Sequence, residues 1–174
     1  LKSLNVLLDT KGFAHICDFG FSRREDDKMT QNIGTVQWMA PEVHESGCVC
    51  GPKVDVYAYG IVLWEVLAKE MPFVGLNTQT ITAMVVTNDS RPEIPQNAPE
   101  PLANLIRKCW DRSPDVRPTF DEIVKILQTG DVLLQGADKK KFLEYVSQFE
   151  IQVNYQTVHI ESQLEESSLS EEKF

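Results

Sequence analysis

Four cysteines in 174 residues are too few for a disulfide scaffold. Cys48 and Cys50 are separated by one residue and have no matching second pair, which is not zinc-site spacing. Cys17, Cys48, Cys50 and Cys109 are therefore expected to be reduced thiols. Long apolar runs are missing too. The longest, Ala58 to Ala68, is interrupted by Glu65 and is too short to span a bilayer. No secretory signal precedes the first patterned segment, and an intracellular, cytoplasmic chain without a transmembrane segment is expected. A basic excess is also lacking: 17 Lys and Arg stand against 26 Asp and Glu, a net charge of −9. Residues 1–130 carry 13 basic and 17 acidic side chains and residues 131–174 carry 4 and 9, so the deficit divides into −4 and −5. Without a basic face, nucleic acid is excluded as the main partner. The first residue is not Met, and Leu1 falls inside a patterned segment, so these residues are expected to be part of a longer chain.

What is present is ordinary globular composition, 42% hydrophobic and 25% charged, in a length that allows one domain plus a tail. Val6-Leu7-Leu8, a turn at Asp9-Thr10-Lys11-Gly12 and Phe13 to Cys17 predict a β-hairpin over residues 5–18. Phe21 to Met39 is long, polar and aperiodic, as functional loops are. Lys53 to Lys69 predicts a helix apolar on nearly every face and buried all round, in which Asp55 needs hydrogen-bond donors. Ile81, Met84 and Val85 predict a shorter helix. Two more follow from the helical spacing of Leu102, Leu105, Ile106, Cys109 and Trp110, and of Phe120, Ile123, Val124 and Leu127. Thr119 and Glu122 form a capping-box pattern ahead of the last of these, and Gly130 is its stop. Beyond it, 139–148 predicts a short helix and 149–156 alternates like a strand. Residues 161–174 are acidic and serine-rich, and disorder is expected there.

The hairpin carries a chemical expectation of its own. Asn5 before its first strand and Asp18 after its second are expected to meet at the open end. A neutral carboxamide oxygen beside a carboxylate, with Lys2 near, suits a hard cation together with phosphate. Magnesium takes one or two protein oxygens and completes its shell with water and substrate phosphates. Asn and Asp beside a hairpin are more often plain turn or cap residues.

Three stretches decide between those readings. Leu1-Lys2-Ser3-Leu4-Asn5 resembles the second half of the protein-kinase catalytic loop, Asp18-Phe19-Gly20 its D-F-G motif and Ala40-Pro41-Glu42 its A-P-E motif. Gly34-Thr35 and Trp38-Met39, the segment Asp55 to Gly60, and Arg117-Pro118-Thr119 extend the likeness over residues 1–130. The chain is identified as a member of the eukaryotic protein kinase family. The fold implied is mainly α: a kinase C-lobe, a helical bundle with a small β-hairpin carrying the metal ligands, the N-lobe being absent. Residues 131–174 are then a C-terminal extension.

The resemblance implies ATP and Mg2+ as cofactors, with Asn5 and Asp18 as metal ligands and Lys2 on the transferring phosphoryl. Leu7 resembles the side chain beneath the adenine, and Cys17 would face the nucleotide. Lys2 and Thr35 resemble residues of serine/threonine kinases, and Ser3-Leu4, Trp38-Met39 and Leu63-Trp64-Glu65 look most like the tyrosine-kinase-like group; dual specificity stays open. Thr30 and Ser22 are candidate phosphosites for an upstream kinase. Arg23-Arg24 before Glu25-Asp26-Asp27 is a solvated charge run. Ser162-x-x-Glu165 and Ser168-x-x-Glu171 fit acidophilic phosphorylation, in a tail otherwise read as inert. Glu42 and Arg117 are expected to form a buried ion pair, and Asp55 to bind backbone amides of the catalytic loop. The family's proton-accepting Asp, glycine-rich loop and strand lysine are not among these residues, so alone they are expected to be inactive. A non-catalytic docking module is the alternative, as is a kinase-like domain silenced by changes elsewhere.

Overall fold

Asp9 makes the hairpin turn. Its carboxylate accepts from the backbone N–H of Lys11 at 2.8 Å and of Phe13 at 2.9 Å, and Gly12 takes the positive φ of 87° that closes the turn. The strands it joins, β1 (Val6–Leu8) and β2 (Ala14–Ile16), pair antiparallel with Val6 opposite Ile16, Leu7 opposite His15 and Leu8 opposite Ala14. In the computed structural model, residues 1–20, 35–44 and 51–147 are described. The other described elements are mainly helical, as expected. They are α1 (Lys53–Ala68), α2 (Thr78–Thr87), α3 (Glu100–Cys109), α4 (Phe120–Gln128) and a further helical run, α5, at 139–147. Short 3-10 turns lie at Ser3–Asn5, Val36–Trp38, Pro41–His44 and Pro114–Val116. The strand expected at 149–156 and the acidic stretch 161–174 fall outside the described residues.

The core forms where α1 crosses α3. Val56, Tyr57, Ala58, Ile61 and Trp64 of the first meet Leu102, Leu105, Ile106 and Cys109 of the second, all buried. Gly60 permits the approach: a Cβ there would stand 2.8 Å from Cys109 Cβ, closer than two carbons can come. The polar edge of a buried indole is met as well, Trp64 Nε1 donating to the Glu93 carbonyl at 2.8 Å.

Two expectations about burial need correction. α1 is not buried all round, since Val66 is 61% exposed near its C-terminal end. Its N-terminal Asp55 also lies in solvent, its side chain 55% exposed. In α4 only Ile123 is fully buried; Phe120 and Val124 are 40% and 48% exposed, Phe120 lying edge-on to Tyr59 at 5.7 Å. The ends of α4 follow the sequence closely. Thr119 and Glu122 form both halves of the capping box, and Gly130 stops the helix with φ 68° and an N–H to the Leu127 carbonyl.

Helix α5 packs back onto this scaffold. Lys139 pairs with Asp131 at 2.6 Å, and Tyr145 meets Phe13 of the hairpin at 5.7 Å. No helix among the described residues is long and apolar enough to cross a membrane.

Candidate active site

The hairpin holds the chemistry-bearing residues at its open end. Asn5 closes the 3-10 turn, its N–H bonded to the Lys2 carbonyl at 3.0 Å, and its carbonyl accepts from Cys17 N–H at 2.8 Å. Cys17, then, is the residue opposite Asn5, and Asp18 is the next residue along. The register is one residue off a direct Asn5–Asp18 pairing, because the pairing of Val6 with Ile16, Leu7 with His15 and Leu8 with Ala14 carries on to Asn5 and Cys17. By the two-residue alternation of a strand, Asn5, Leu7 and Cys17 share one face of the ribbon. Leu7 is 55% exposed on that face, and Cys17 is half-buried.

Asp18 breaks out of the ribbon. Its φ of 62° is left-handed backbone, which Asp tolerates better than most residues. The turned chain lets its own carboxylate accept from Gly20 N–H at 3.3 Å. One exposed carboxylate and one carboxamide are a donor set that fits magnesium, which keeps most of its shell for water and phosphate oxygens. Among the described residues no three His, Cys, Asp or Glu side chains group to cage a metal. A cation held here leans on oxygens other than the protein's.

A second loop comes beside the first. Lys2 Nζ donates to Thr35 Oγ1 at 3.4 Å, joining positions 33 apart in sequence. One residue on, Ser3 Oγ donates to Glu65 Oε1 at 2.8 Å, and Trp38 Nε1 donates to Glu65 Oε2 at 2.7 Å. Asp55 Oδ1 accepts from the main-chain nitrogen of Leu1 at 3.3 Å. In the sequence Glu65 stands out as an interruption of an apolar run and as part of the Leu63-Trp64-Glu65 likeness, with no role at the site attached to it. A lone carboxylate in the middle of a greasy helix was the signal, since such a group needs donors.

The expected ion pair is there. Both oxygens of Glu42 accept from Arg117, at 2.6 and 2.8 Å, with the guanidinium fully buried. Arg117 also donates to the carbonyls of Asp111, Lys53 and Arg112 at 2.8, 3.0 and 3.2 Å, so every guanidinium nitrogen is used. Lys53 returns a bond to the Arg117 carbonyl. The Tyr57 ring lies between Arg91 and Arg117, at 5.1 and 5.2 Å. Burial pushes its phenol up to about 12. Nearby, burial also lowers the His44 imidazole, against the pull of Glu42. Ser22, Thr30, Gly34, Arg23-Arg24, Cys48, Cys50, Ser162 and Ser168 lie outside the described residues.

A hairpin ending in D-F-G and an A-P-E motif anchored on a helical core by a buried arginine are the arrangement of a protein-kinase C-lobe, and comparison with known proteins shows the same family. The family model described as protein tyrosine and serine/threonine kinase matches residues 1–127. The chain belongs to that family. It is 43% identical over 129 residues to a probable serine/threonine-protein kinase of Dictyostelium discoideum, covering 73% of this chain and 14% of that protein. It is 39% identical over 151 residues to mitogen-activated protein kinase kinase kinase 7 of Homo sapiens, covering 86% of this chain and 24% of that protein. A probable LIM domain-containing serine/threonine-protein kinase of Dictyostelium discoideum is 43% identical over 130 residues, 74% of this chain and 13% of its own length. The chain thus spans about a quarter or less of these relatives.

Proposed function

We propose that these residues supply the metal- and phosphate-holding half of a serine/threonine protein kinase site, which transfers the γ-phosphoryl of ATP to hydroxyls of protein substrates. The observation that carries this reading is the Lys2–Thr35 contact, which links the loop leading to Asn5 with the loop leading to the A-P-E motif. Asn5 and Asp18 are the residues that would hold Mg2+, which supplies charge neutralisation on the phosphates. Lys2 places an ammonium point charge for a phosphoryl oxygen. Thr35 fixes where that charge sits and borders the place for the acceptor hydroxyl. Leu7 and Cys17, on the face they share with Asn5, would border the nucleotide. The serine/threonine kinases among the similar proteins support the choice of hydroxyl.

The chain divides on this reading into a catalytic part, 1–130, and an extension, 131–174, with Thr30 and Ser22 as targets of an upstream kinase. A cytoplasmic location goes with this reading, since the reaction draws on intracellular ATP. Residues 1–174 contain neither the family's proton-accepting Asp nor an adenine grip, and on their own are inactive. The retained Lys2, Asn5 and Asp18 favour the enzyme over a docking module, which has no physical need of metal ligands.

The test is transfer of labelled γ-phosphate from Mg-ATP by the full-length protein. Phosphoserine and phosphothreonine are expected on a protein substrate. Label on tyrosine alone would overturn the choice of hydroxyl, and no transfer at all would overturn the reading.

A further inference from the structure

Glu65 lies in the interior of α1, among Ile61, Val62, Leu63, Trp64, Val66 and Leu67. Its two carboxylate oxygens are bonded to different parts of the site. Oε1 accepts from Ser3, in the turn that leads into Asn5, at 2.8 Å; Oε2 accepts from the Trp38 indole, in the turn that follows Thr35, at 2.7 Å. The donors stand 62 and 27 residues away in sequence. We infer that Glu65 is a positioning residue for phosphoryl transfer, its single carboxylate stapling the Lys2–Asn5 loop to the Thr35–Trp38 loop.

This inference rests on the kinase reading above and adds to it the device that sets the spacing of the two loops. The Lys2–Thr35 contact, at 3.4 Å, is at the long limit for a hydrogen bond and cannot hold that spacing by itself. The two bonds to Glu65 are short and charge-assisted, which is the strong kind. They also originate from α1, which supplies Val56, Tyr57, Ala58, Ile61 and Trp64 to the core, so both loops take their position from one rigid body. The Glu42–Arg117 pair has a different role. It fastens the second loop to the core, whereas Glu65 fastens the loops to each other through α1.

Glu65→Leu leaves the Ser3 hydroxyl and the Trp38 indole without their acceptor. Glu65→Gln can still accept from Trp38 and donate to Ser3 Oγ. In the full-length protein, assayed with Mg-ATP and a protein substrate, Glu65→Leu is expected to lower kcat/KM by about tenfold to a hundredfold, the range of a small displacement of reacting groups. Glu65→Gln is expected to recover most of that loss. Wild-type kcat and KM in Glu65→Leu would overturn the inference.

A merely structural role is separated by a double-mutant cycle of Ser3→Ala and Trp38→Phe. With Glu65 present, the two substitutions are expected to be coupled by about threefold or more in kcat/KM, and in the Glu65→Leu background the coupling is lost. Additive effects, or coupling that survives Glu65→Leu, would overturn the staple. Should Glu65→Leu fail to fold, the cycle with Glu65 in place still decides. Should the wild type transfer no phosphate, the kinase reading falls, and the same cycle read on thermal unfolding of the chain decides the staple separately.

Discussion

Two regions of this molecule bear the same kind of polar residue and treat it in opposite ways. In the helical core, the Glu42–Arg117 pair is buried, bidentate and shared with backbone carbonyls on three sides. At the hairpin, Asp18 is exposed, sits on left-handed backbone and, among the described residues, accepts a long bond from Gly20. The apolar side chains differ likewise. Ile61 and Ile106 of the core are 0% exposed, while Leu8 and Phe19 of the hairpin are 72% and 66% exposed. The first region buries its charged pair among partners and holds the fold, although His44 Nε2 and the Tyr57 hydroxyl there have none among the described residues. The second bonds Asp9 within its turn and leaves Asp18 exposed, as a ligand needs.

The strongest way to break this contrast is at the anchor. Arg117→Ala leaves Glu42 without its partner in a mostly buried position and is expected to cost about 3–5 kcal/mol of stability. A melting temperature equal to wild type would remove the distinction between the regions. The same logic predicts the reverse result at the hairpin. Asp18→Asn keeps a residue that tolerates positive φ and removes only the charge. It is expected to lower kcat/KM of the full-length protein by about a hundredfold to a thousandfold, with an unchanged melting temperature. A loss of stability comparable to that of Arg117→Ala would show that Asp18 is structural after all.

Gly60 sharpens the contrast within the core. Alanine is the better helix former by about 1 kcal/mol. Its methyl group, however, would meet Cys109 Cβ at 2.8 Å and the Trp110 nitrogen at 3.3 Å, atoms that cannot swing aside. Overpacking of this kind costs about 1–3 kcal/mol, so the clash wins and Gly60→Ala is expected to be destabilising by chemical denaturation. A stabilised variant would mean that α1 and α3 can separate freely, and that the core is less rigid than its burial indicates.

The same contrast explains what could be read in the sequence. Elements governed by local rules were legible: the Asp9–Gly12 turn, the capping box at Thr119 and Glu122, the stop at Gly130 and the helices with a clear apolar stripe. The Glu42–Arg117 pair was legible through family likeness, although its partners are 75 residues apart. Three things were not. The one-residue offset that puts Cys17 opposite Asn5 depends on the register set by the 9–13 turn, with Leu8 opposite Ala14, and alternation alone does not give that register. The exposure of Val66 and Asp55 depends on which elements pack beside α1, which helical periodicity does not specify. Glu65 had the right oddity, a charge in an apolar run, but its donors come from two distant loops that only the folded chain assembles.

The smallest effect separates the two regions by pH. His44 ends the turn that begins Pro41-Glu42, its Nε2 buried with no hydrogen-bond partner among the described residues. Burial lowers its pKa below the ordinary 6.5, and the neighbouring Glu42 only partly offsets this. The unfolded chain therefore binds a proton that the folded chain resists, and stability is lost as pH falls below about 6.5. The hairpin turn responds later. The Asp9 carboxyl is held below its ordinary 3.8, chiefly by the Phe13 N–H, so its contribution is present above that value and lost only in stronger acid. Between pH 7.5 and pH 5.5 the urea midpoint of the chain is thus expected to fall modestly, and the fall is expected to shrink in His44→Gln. Equal midpoints at the two pH values, or an equal fall in His44→Gln, would show that the anchor is no more sensitive to mild acid than the hairpin.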